Sequence, residues 1–259
     1  MSIQFRNLAR PFEVNARIVE WDMKRAGLNI CKEFGLLPDN QIEEIANLSK
    51  IDGDTMIGKI QLKDKEFSKN LEQKFTDVMK EFITLNDLDM DLDILNIKKD
   101  ACFVINKEIR VCTIGTHIRF IPKNEYHAYI SLNPYEFYFQ PEGSIEVKGL
   151  IHDRKERERV LQLHQDGILM LLESVVDLAE TSNMNKHKMN RFLHEFVEMY
   201  KKKELDFDFY REFNVESRFR YQMAGGEIMA DSIDTKMLEK VNIEYNYKKI
   251  ILPLINIIC

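Results

Sequence analysis

Two aspartates, Asp22 and Asp100, stand at positions that suit chemistry at a phosphate group. Each follows a strand-like run of apolar residues and lies at a bend, in VEWDMKRAG and in NIKKDACFV. Carboxylates at neighbouring strand ends can hold a pair of divalent ions, which stabilise the attacking and leaving oxygens of in-line displacement at phosphorus. Carboxylates are also common at strand ends that bind no metal. The pair predicts a metal site, with an ordinary structural role as the open alternative.

The hairpin that carries Asp100 has two lysines at its tip, Lys98 and Lys99, and neither Gly nor Pro to make the turn. Beside a metal site these lysines would bind phosphate oxygens, because cations stabilise the charge that develops in phosphoryl transfer. Alternatively, the turn is simply exposed, and its lysines protect the strand edge from pairing with another chain. The residues leave both interpretations open.

The spacing of apolar residues predicts the elements that position these side chains. Strand-like alternation over 16–21 gives way to helical spacing over 24–35, 40–48 and 68–85. A period of two then predicts strands over 94–97, 101–105, 109–114, 117–121, 126–132, 135–140 and 145–150. From residue 155 onward the spacing is helical again. This order predicts an α+β fold with an antiparallel sheet and a helical second half.

Composition narrows the class of protein. The 259 residues, 44 % of them hydrophobic, are enough for a sizeable core. The net charge of −6 includes 37 lysines and arginines, so local basic surfaces for nucleic acid remain open. The four cysteines lack CxxC spacing, which favours reduced thiols over a zinc site. No run reaches the roughly 20 apolar residues that span a bilayer, and we expect a cytoplasmic protein with no membrane partner.

Several segments, taken in order, resemble a known family. WDMKRAGL followed by NIKKDACFV looks like the two palm motifs of B-family DNA polymerases, which read Asp-x-x-Ser-Leu-Tyr and Tyr-x-Asp-Thr-Asp-Ser in those enzymes. HIRFIPKNEYHAYISLNPYEFYF and then GSIEVKGLI are similar to the strands that lead through a Lys-Gly segment into the thumb. The ending VNIEYNYKKIILPLI resembles the tail of many such polymerases. The resemblance covers most of the chain from Ile18 onward.

The resemblance implies a palm-like domain over 1–153, with a reduced helical fingers region, and a helical thumb-like region over 154–259. Asp22 and Asp100 would bind Mg²⁺ or Mn²⁺ and catalyse nucleotidyl transfer from a nucleoside triphosphate to a nucleic-acid primer. The phosphate-binding residues would be Lys59, Lys98 and Lys99. The nucleic-acid-binding residues would be Lys148, Arg154, Lys186, Lys188 and Arg191. A phage origin, and work in the host cytoplasm, would suit so reduced a polymerase without an exonuclease domain.

The departures from the family pattern favour a second hypothesis. The hairpin keeps one carboxylate where the family usually has two, and Gly27 stands where the family has the tyrosine that excludes ribose. The family's fingers pattern, Lys-x-x-x-Asn-Ser-x-Tyr-Gly, is not found between Asp22 and Asp100. The alternative is a catalytically inactive polymerase-like module that binds nucleic acid or a protein partner in a larger complex. A third possibility is a structural subunit whose basic helices are ordinary solvated faces.

Overall fold

The computed structural model describes residues 4–149, 167–210, 220–223, 226–229 and 243–259. These residues form an α+β fold with antiparallel sheets, which confirms the predicted fold class. The chain divides into two compact units, one made of Met1–Arg10 with Ala16–Tyr126 and the other of Pro11–Asn15 with His127–Cys259. The assignment of 1–153 to a palm and 154–259 to a thumb stays a prediction.

The strands and helices have the following bounds. The strands are β1 (Gln4–Arg6), β2 (Phe12–Glu13), β3 (Ile18–Met23), β4 (Ile94–Lys98), β5 (Ala101–Ile105), β6 (Thr113–Ile114), β7 (Ile118–Tyr126), β8 (Ala128–Leu132), β9 (Tyr135–Phe139), β10 (Ile145–Lys148), β11 (Arg220–Met223) and β12 (Gly226–Met229). The α-helices are α1 (Ala26–Phe34), α2 (Asp39–Ala46), α3 (Lys50–Lys63), α4 (Lys65–Leu85), α5 (Gly167–Thr181), α6 (Lys186–Lys202), α7 (Glu244–Asn246) and α8 (Leu252–Ile258). A 3₁₀ turn covers Phe207–Phe209, and a π-helical stretch, Tyr247–Ile251, joins α7 to α8.

The first unit is built on a six-stranded antiparallel sheet with the order β1-β4-β5-β3-β7-β6. One face of the sheet shares a core with helices α1 to α4. From the strands this core takes Met23, Ile97, Cys102, Val104 and Phe120, and from α4 it takes Leu71, Phe75, Val78, Met79 and Phe82. Because side chains alternate along a strand, the residues between these strand positions point to the opposite face. Asp22 lies on that opposite face.

Helix α4 is held at its start by its own sequence. The carboxylate of Asp64 accepts hydrogen bonds from the backbone N–H groups of Glu66 and Phe67, both at 2.9 Å. Such a cap satisfies N–H groups that have no partner within the helix. The apolar positions of α4 recur at helical spacing, so one side of the helix is buried against the sheet. The helix predicted over 68–85 is therefore present, and it begins one turn earlier.

The second unit contains a four-stranded antiparallel sheet with the order β10-β9-β8-β2. Its core combines strand residues such as Ile130 and Phe137 with helical residues such as Leu172, Leu193 and Leu254. The sheet and the helices α5, α6 and α8 therefore share one hydrophobic core. Parts of the segment predicted to be helical from residue 155 onward, including 155–166 and 230–242, lie outside the described residues.

A strand predicted over 109–114 is wrong except for its last two residues, Thr113 and Ile114. The reason is the buried side chain of Asn86, at the end of α4. Its oxygen accepts from the backbone N–H groups of Arg110 and Val111, both at 2.8 Å, and its amide nitrogen donates to the Val111 carbonyl at 2.8 Å. These are the backbone groups that a sheet ladder would use, so the chain runs as an anchored loop here.

Among the described residues, no helix is both long enough and apolar enough to cross a membrane.

Candidate functional site

The structure brings Asp22 and Asp100 together in the first unit. Strand β3 pairs with β5 so that Asp22 lies opposite Ala101, the residue after Asp100. The backbone N–H of Met23 donates to the Asp100 carbonyl at 2.9 Å, which ties the end of β3 to the tip of the β4–β5 hairpin. Two segments nearly eighty residues apart in sequence are thus joined at the point where each carries its carboxylate.

Both carboxylates have pKa values raised above the ordinary value of 3.8. Burial is the main cause in each case, because it disfavours the charged form. The negative charge of Asp100 raises the pKa of Asp22 further, while Lys123 and Lys50 oppose the shift. For Asp100 the opposing groups are its own backbone N–H, then Lys99, Lys50 and Lys123. Two half-buried carboxylates that repel one another form a site suited to a positively charged ligand, although the neighbouring lysines already supply part of that charge.

We expect Asp100→Asn to stabilise the folded protein at neutral pH. The folded state holds the Asp100 proton more tightly than the unfolded chain does, so ionisation above pH 3.8 costs stability that asparagine would not lose. The advantage of the variant should shrink as the pH falls and vanish below 3.8, where wild type is protonated in both states. Thermal unfolding of both proteins across this pH range measures the effect.

The control is Asp54→Asn, which removes an exposed carboxylate on α3. A variant that melts below wild type at neutral pH, with Asp54→Asn unchanged, would contradict the raised pKa of Asp100.

The hairpin tip has an unusual backbone. Lys99 has φ of 50°, in the left-handed region that glycine adopts most easily in a two-residue turn. Its ammonium group lies over the ring of Phe75 on α4, with 4.8 Å to the ring centroid. This cation–π contact fixes Lys99 beside Asp100. The next residue back, Lys98, is half-buried at the end of β4, opposite Ala101 in the ladder.

Arg25 anchors the turn that follows β3. Its guanidinium donates to the carbonyl groups of Ile45 and Ala46 at 3.2 Å and of Leu48 at 3.1 Å. Ile45 and Ala46 are in the last turn of α2, where carbonyls lack the regular partner four residues on, and Leu48 lies two residues beyond the helix. The φ of 44° at Arg25 ends the strand and starts α1. Asp22 therefore lies three residues before Arg25, whose hydrogen bonds attach this turn to the end of α2.

Three residues around the pair were missed by sequence reasoning. Lys50 is the first residue of α3, and Lys123 lies on β7; both lower the pKa values of Asp22 and Asp100. Glu20, two residues before Asp22, is a buried carboxylate. By contrast, the predicted phosphate ligand Lys59 lies exposed on α3, about 13 Å further along the helix than Lys50 at 1.5 Å per residue.

The predicted nucleic-acid contacts fall in the second unit. Lys188 and Arg191 are exposed and three residues apart on α6, so they share one side of the helix. Lys186 is exposed too, but it precedes Lys188 by only two residues and faces another direction. The Arg191 guanidinium already pairs with Glu195 at 2.8 Å. Arg154 lies outside the described residues.

Lys148 belongs to the Lys-Gly segment of the predicted thumb connection. Its ammonium group is 3.3 Å from the Glu146 carboxylate and lies 5.5 Å from the centroid of the Tyr138 ring. The following Gly149 has φ of 90°, and a Cβ there would be 2.3 Å from the carbonyl oxygen of Pro134. Close packing therefore requires glycine at this position. The role of Lys148 toward nucleic acid stays a prediction.

The residues of the first unit fit a hard divalent cation. Mg²⁺ is usually bound through one or two carboxylates together with the phosphates of a substrate, and Asp22 on β3 and Asp100 in the turn before β5 supply two carboxylates. Within the part of the chain that the structure describes, no group of three or more His, Cys, Asp or Glu residues suits a metal ion. The candidate site is thus a pair that a substrate would complete.

Comparison with known proteins gives one family. No curated protein matches the sequence. The family described as bacteriophage PBS1 gene 130 protein matches residues 3–259, which is nearly the full length of the chain. The chain therefore belongs to the family of the bacteriophage PBS1 gene 130 protein.

Proposed function

We propose that this protein is a small DNA-polymerase-like nucleotidyltransferase that extends a nucleic-acid primer. The observation that carries the proposal is the meeting of Asp22 and Asp100 at the end of adjoining antiparallel strands, with Lys50, Lys99 and Lys123 within electrostatic range. The resemblance to B-family palm motifs supports the same assignment of the two aspartates.

In the proposed reaction, a primer hydroxyl attacks the α-phosphorus of a nucleoside triphosphate and pyrophosphate leaves. Asp22 and Asp100 would hold Mg²⁺ or Mn²⁺, which supplies positive charge for the attacking and leaving oxygens. Lys50 and Lys99 would bind the triphosphate oxygens, because both cations lie near Asp100 and neutralise charge that grows during transfer. The backbone bond from Met23 to Asp100 would keep the two carboxylates in register.

The test is extension of a gapped duplex with labelled nucleotides in the presence of Mg²⁺ or Mn²⁺. We expect incorporation that a chelating agent abolishes and added metal restores. Purified full-length protein that binds the gapped duplex but incorporates nothing, under every combination of metal and primer, would contradict the proposed reaction.

The second candidate function is binding of nucleic acid, or of a protein partner in a larger complex, without catalysis. The observation that favours it is the small number of carboxylates on the hairpin, where Lys98 and Lys99 take positions beside the single Asp100. A hairpin of this kind suits contact with phosphates whether or not a metal ion is present. Duplex binding that is unchanged by metal would favour this function.

The proposed partners are a primer or duplex and a nucleoside triphosphate. A phage protein that copies or repairs nucleic acid would work where the genome lies, which we propose is the host cytoplasm. The proposal includes no membrane partner.

The helical second half is proposed to contact the duplex backbone through exposed cations on α6. We expect the triple variant Lys186→Ala, Lys188→Ala and Arg191→Ala to weaken binding about equally for unrelated sequences, because phosphate contacts carry no base information. The slope of log affinity against log salt should flatten by roughly 0.9 for each phosphate that the variant no longer neutralises. Binding titrations on two duplexes at several salt concentrations measure both effects.

Because Lys188 and Arg191 share a side of α6, the matched control is the single variant Lys186→Ala, which should account for the smaller part of the change. Identical salt slopes for wild type and the triple variant would show that α6 is a solvated face. A weakening confined to one duplex sequence would instead indicate base recognition.

A further inference from the structure

Strand β7 contains an irregularity beside the candidate site. In its pairing with β3, Asn124 lies opposite Glu20 and Pro122 lies opposite Trp21, so Lys123 is an extra residue between two paired positions. Such a bulge redirects a side chain that regular alternation would send to the other face. Pro122, which has no N–H group, is tolerated at a bulge better than within a regular ladder.

The bulge brings the side chains of Lys123 and its neighbour Asn124 to one carboxylate, that of Glu20. The Lys123 ammonium donates to one oxygen of Glu20 at 3.2 Å. The other Glu20 oxygen accepts from the Asn124 amide at 2.9 Å and from the Tyr126 hydroxyl at 3.0 Å. Regular alternation would send Lys123 and Asn124 to opposite faces; the bulge lets both reach Glu20.

Glu20 is a fixed anchor rather than a mobile surface group. Only 1 % of the residue is exposed, and its hydrogen bonds to three side chains satisfy the charge that burial would otherwise penalise. The Lys123 side chain is 45 % exposed, so its charge remains accessible from solvent while its position is held. Glu20 and Asp22 are alternate residues of β3 and lie on one face of the sheet.

The ion pair of Lys123 and Glu20 acts on Asp22 and Asp100 mainly through the positive charge of Lys123. Lys123 lowers the pKa of Asp22 more strongly than Glu20 raises it, and Lys123 also lowers the pKa of Asp100. Lys50, Lys99 and Lys123 carry three positive charges, and Asp22, Asp100 and Glu20 carry three negative charges when ionised, so these six groups sum to zero. One divalent ion would bring the sum to +2 and two would bring it to +4, so a second ion would meet the greater repulsion.

Resting on the proposed function, we propose that Lys123, positioned by Glu20, is a built-in cation that takes the place of a second divalent ion, so that the site of Asp22 and Asp100 holds one. Lys123 would then contact triphosphate oxygens directly, and Glu20 is a positioning residue. Removing the Lys123 charge would free the one Glu20 oxygen that Lys123 holds to become a ligand, and the site would then accept two ions.

The test counts Mn²⁺ ions bound to the full chain by calorimetry and by electron paramagnetic resonance. The ions assigned to the site are those that Asp100→Asn removes. We expect one in wild type and in Lys123→Arg, and two in Lys123→Met, with the first bound about tenfold more tightly once the like charge is gone. The double variant Lys123→Met with Glu20→Gln should again bind one site ion.

The matched control is Lys107→Met, which removes another half-exposed lysine of the first unit, paired with Asp93 at 3.2 Å. It should leave the count at one. Two site ions in wild type would overturn the inference while leaving the metal-dependent function intact, and this result needs no variant. One ion with unchanged affinity in a folded Lys123→Met would overturn it as well. No site ion in wild type or in Lys123→Met, even with a non-hydrolysable nucleoside triphosphate present, would overturn the proposed function itself.

Discussion

Asp100→Asn is expected to reduce nucleotide incorporation by roughly a hundred- to a thousandfold, the scale at which the loss of one preorganised electrostatic group slows an enzyme. Asparagine keeps the shape of the side chain and the backbone bond from Met23, but it loses the charge that would hold the ion. Asp22→Asn should have an effect of similar size, because the two carboxylates act on one site. Single-turnover incorporation on a gapped duplex gives the rates.

Asp54→Asn is the control for incorporation as well, since it removes an exposed carboxylate of the same unit. Because both site variants are expected to fold at least as stably as wild type, loss of activity would not reflect unfolding. Incorporation that persists at the wild-type rate in Asp100→Asn would place the catalytic carboxylates elsewhere in the chain.

Phe82→Ala is expected to lower the free energy of unfolding by about 3–5 kcal/mol, the usual cost of deleting a fully buried aromatic ring. Phe82 is completely buried on α4 and stacks on Phe120 of β7, with 4.0 Å between ring centroids. It also lies 6.5 Å, centroid to centroid, from Trp21 of β3. The ring therefore packs behind the two strands that carry Asp22 and Lys123.

The matched substitution is Leu85→Ala, three residues further along α4, where the side chain is 47 % exposed. It should cost within about 0.5 kcal/mol, as surface changes usually do. Urea unfolding of the three proteins measures the difference. Equal stabilities for Phe82→Ala and Leu85→Ala would show that the packing of α4 on β3 and β7 is not as described.

Asp22 and Asp100 could be found from sequence because their signals are local. Each follows a strand with a clear apolar period, and the hairpin has a short polar tip. The pairing of β3 with β5 follows from hydrophobic faces that must point to one core. The α+β class and the long helix α4 were predictable for the same reason.

Lys123 and Lys50 could not be found in this way. Pro122 interrupts the period of two, so the strand predicted over 117–121 stops before the bulge that positions Lys123. Helix α3 has no clear apolar stripe, because Ile51 and Leu62 are exposed while Gly53 and Ile57 are buried. Proline inside a strand pattern was the available signal for a bulge. For Lys50 the signal was Ser49, which accepts from the Asp52 N–H as an N-cap.

Glu20 illustrates a different difficulty. Its role depends on Lys123, Asn124 and Tyr126, more than a hundred residues later in the chain. In the sequence, a glutamate between the apolar Val19 and Trp21 indicates an exposed position on a half-buried strand. Only the register of β3 with β7 shows that it is buried and what it binds.

Iron-directed cleavage tests most directly whether Asp22 and Asp100 hold one divalent ion together. Fe²⁺ bound in place of Mg²⁺, with ascorbate and peroxide, cuts the backbone nearest to the metal. We expect cuts next to both Asp22 and Asp100, suppressed by excess Mg²⁺ and abolished at both positions in Asp22→Asn. Cuts at only one of the two segments, or cuts at both that survive in Asp22→Asn, would contradict it.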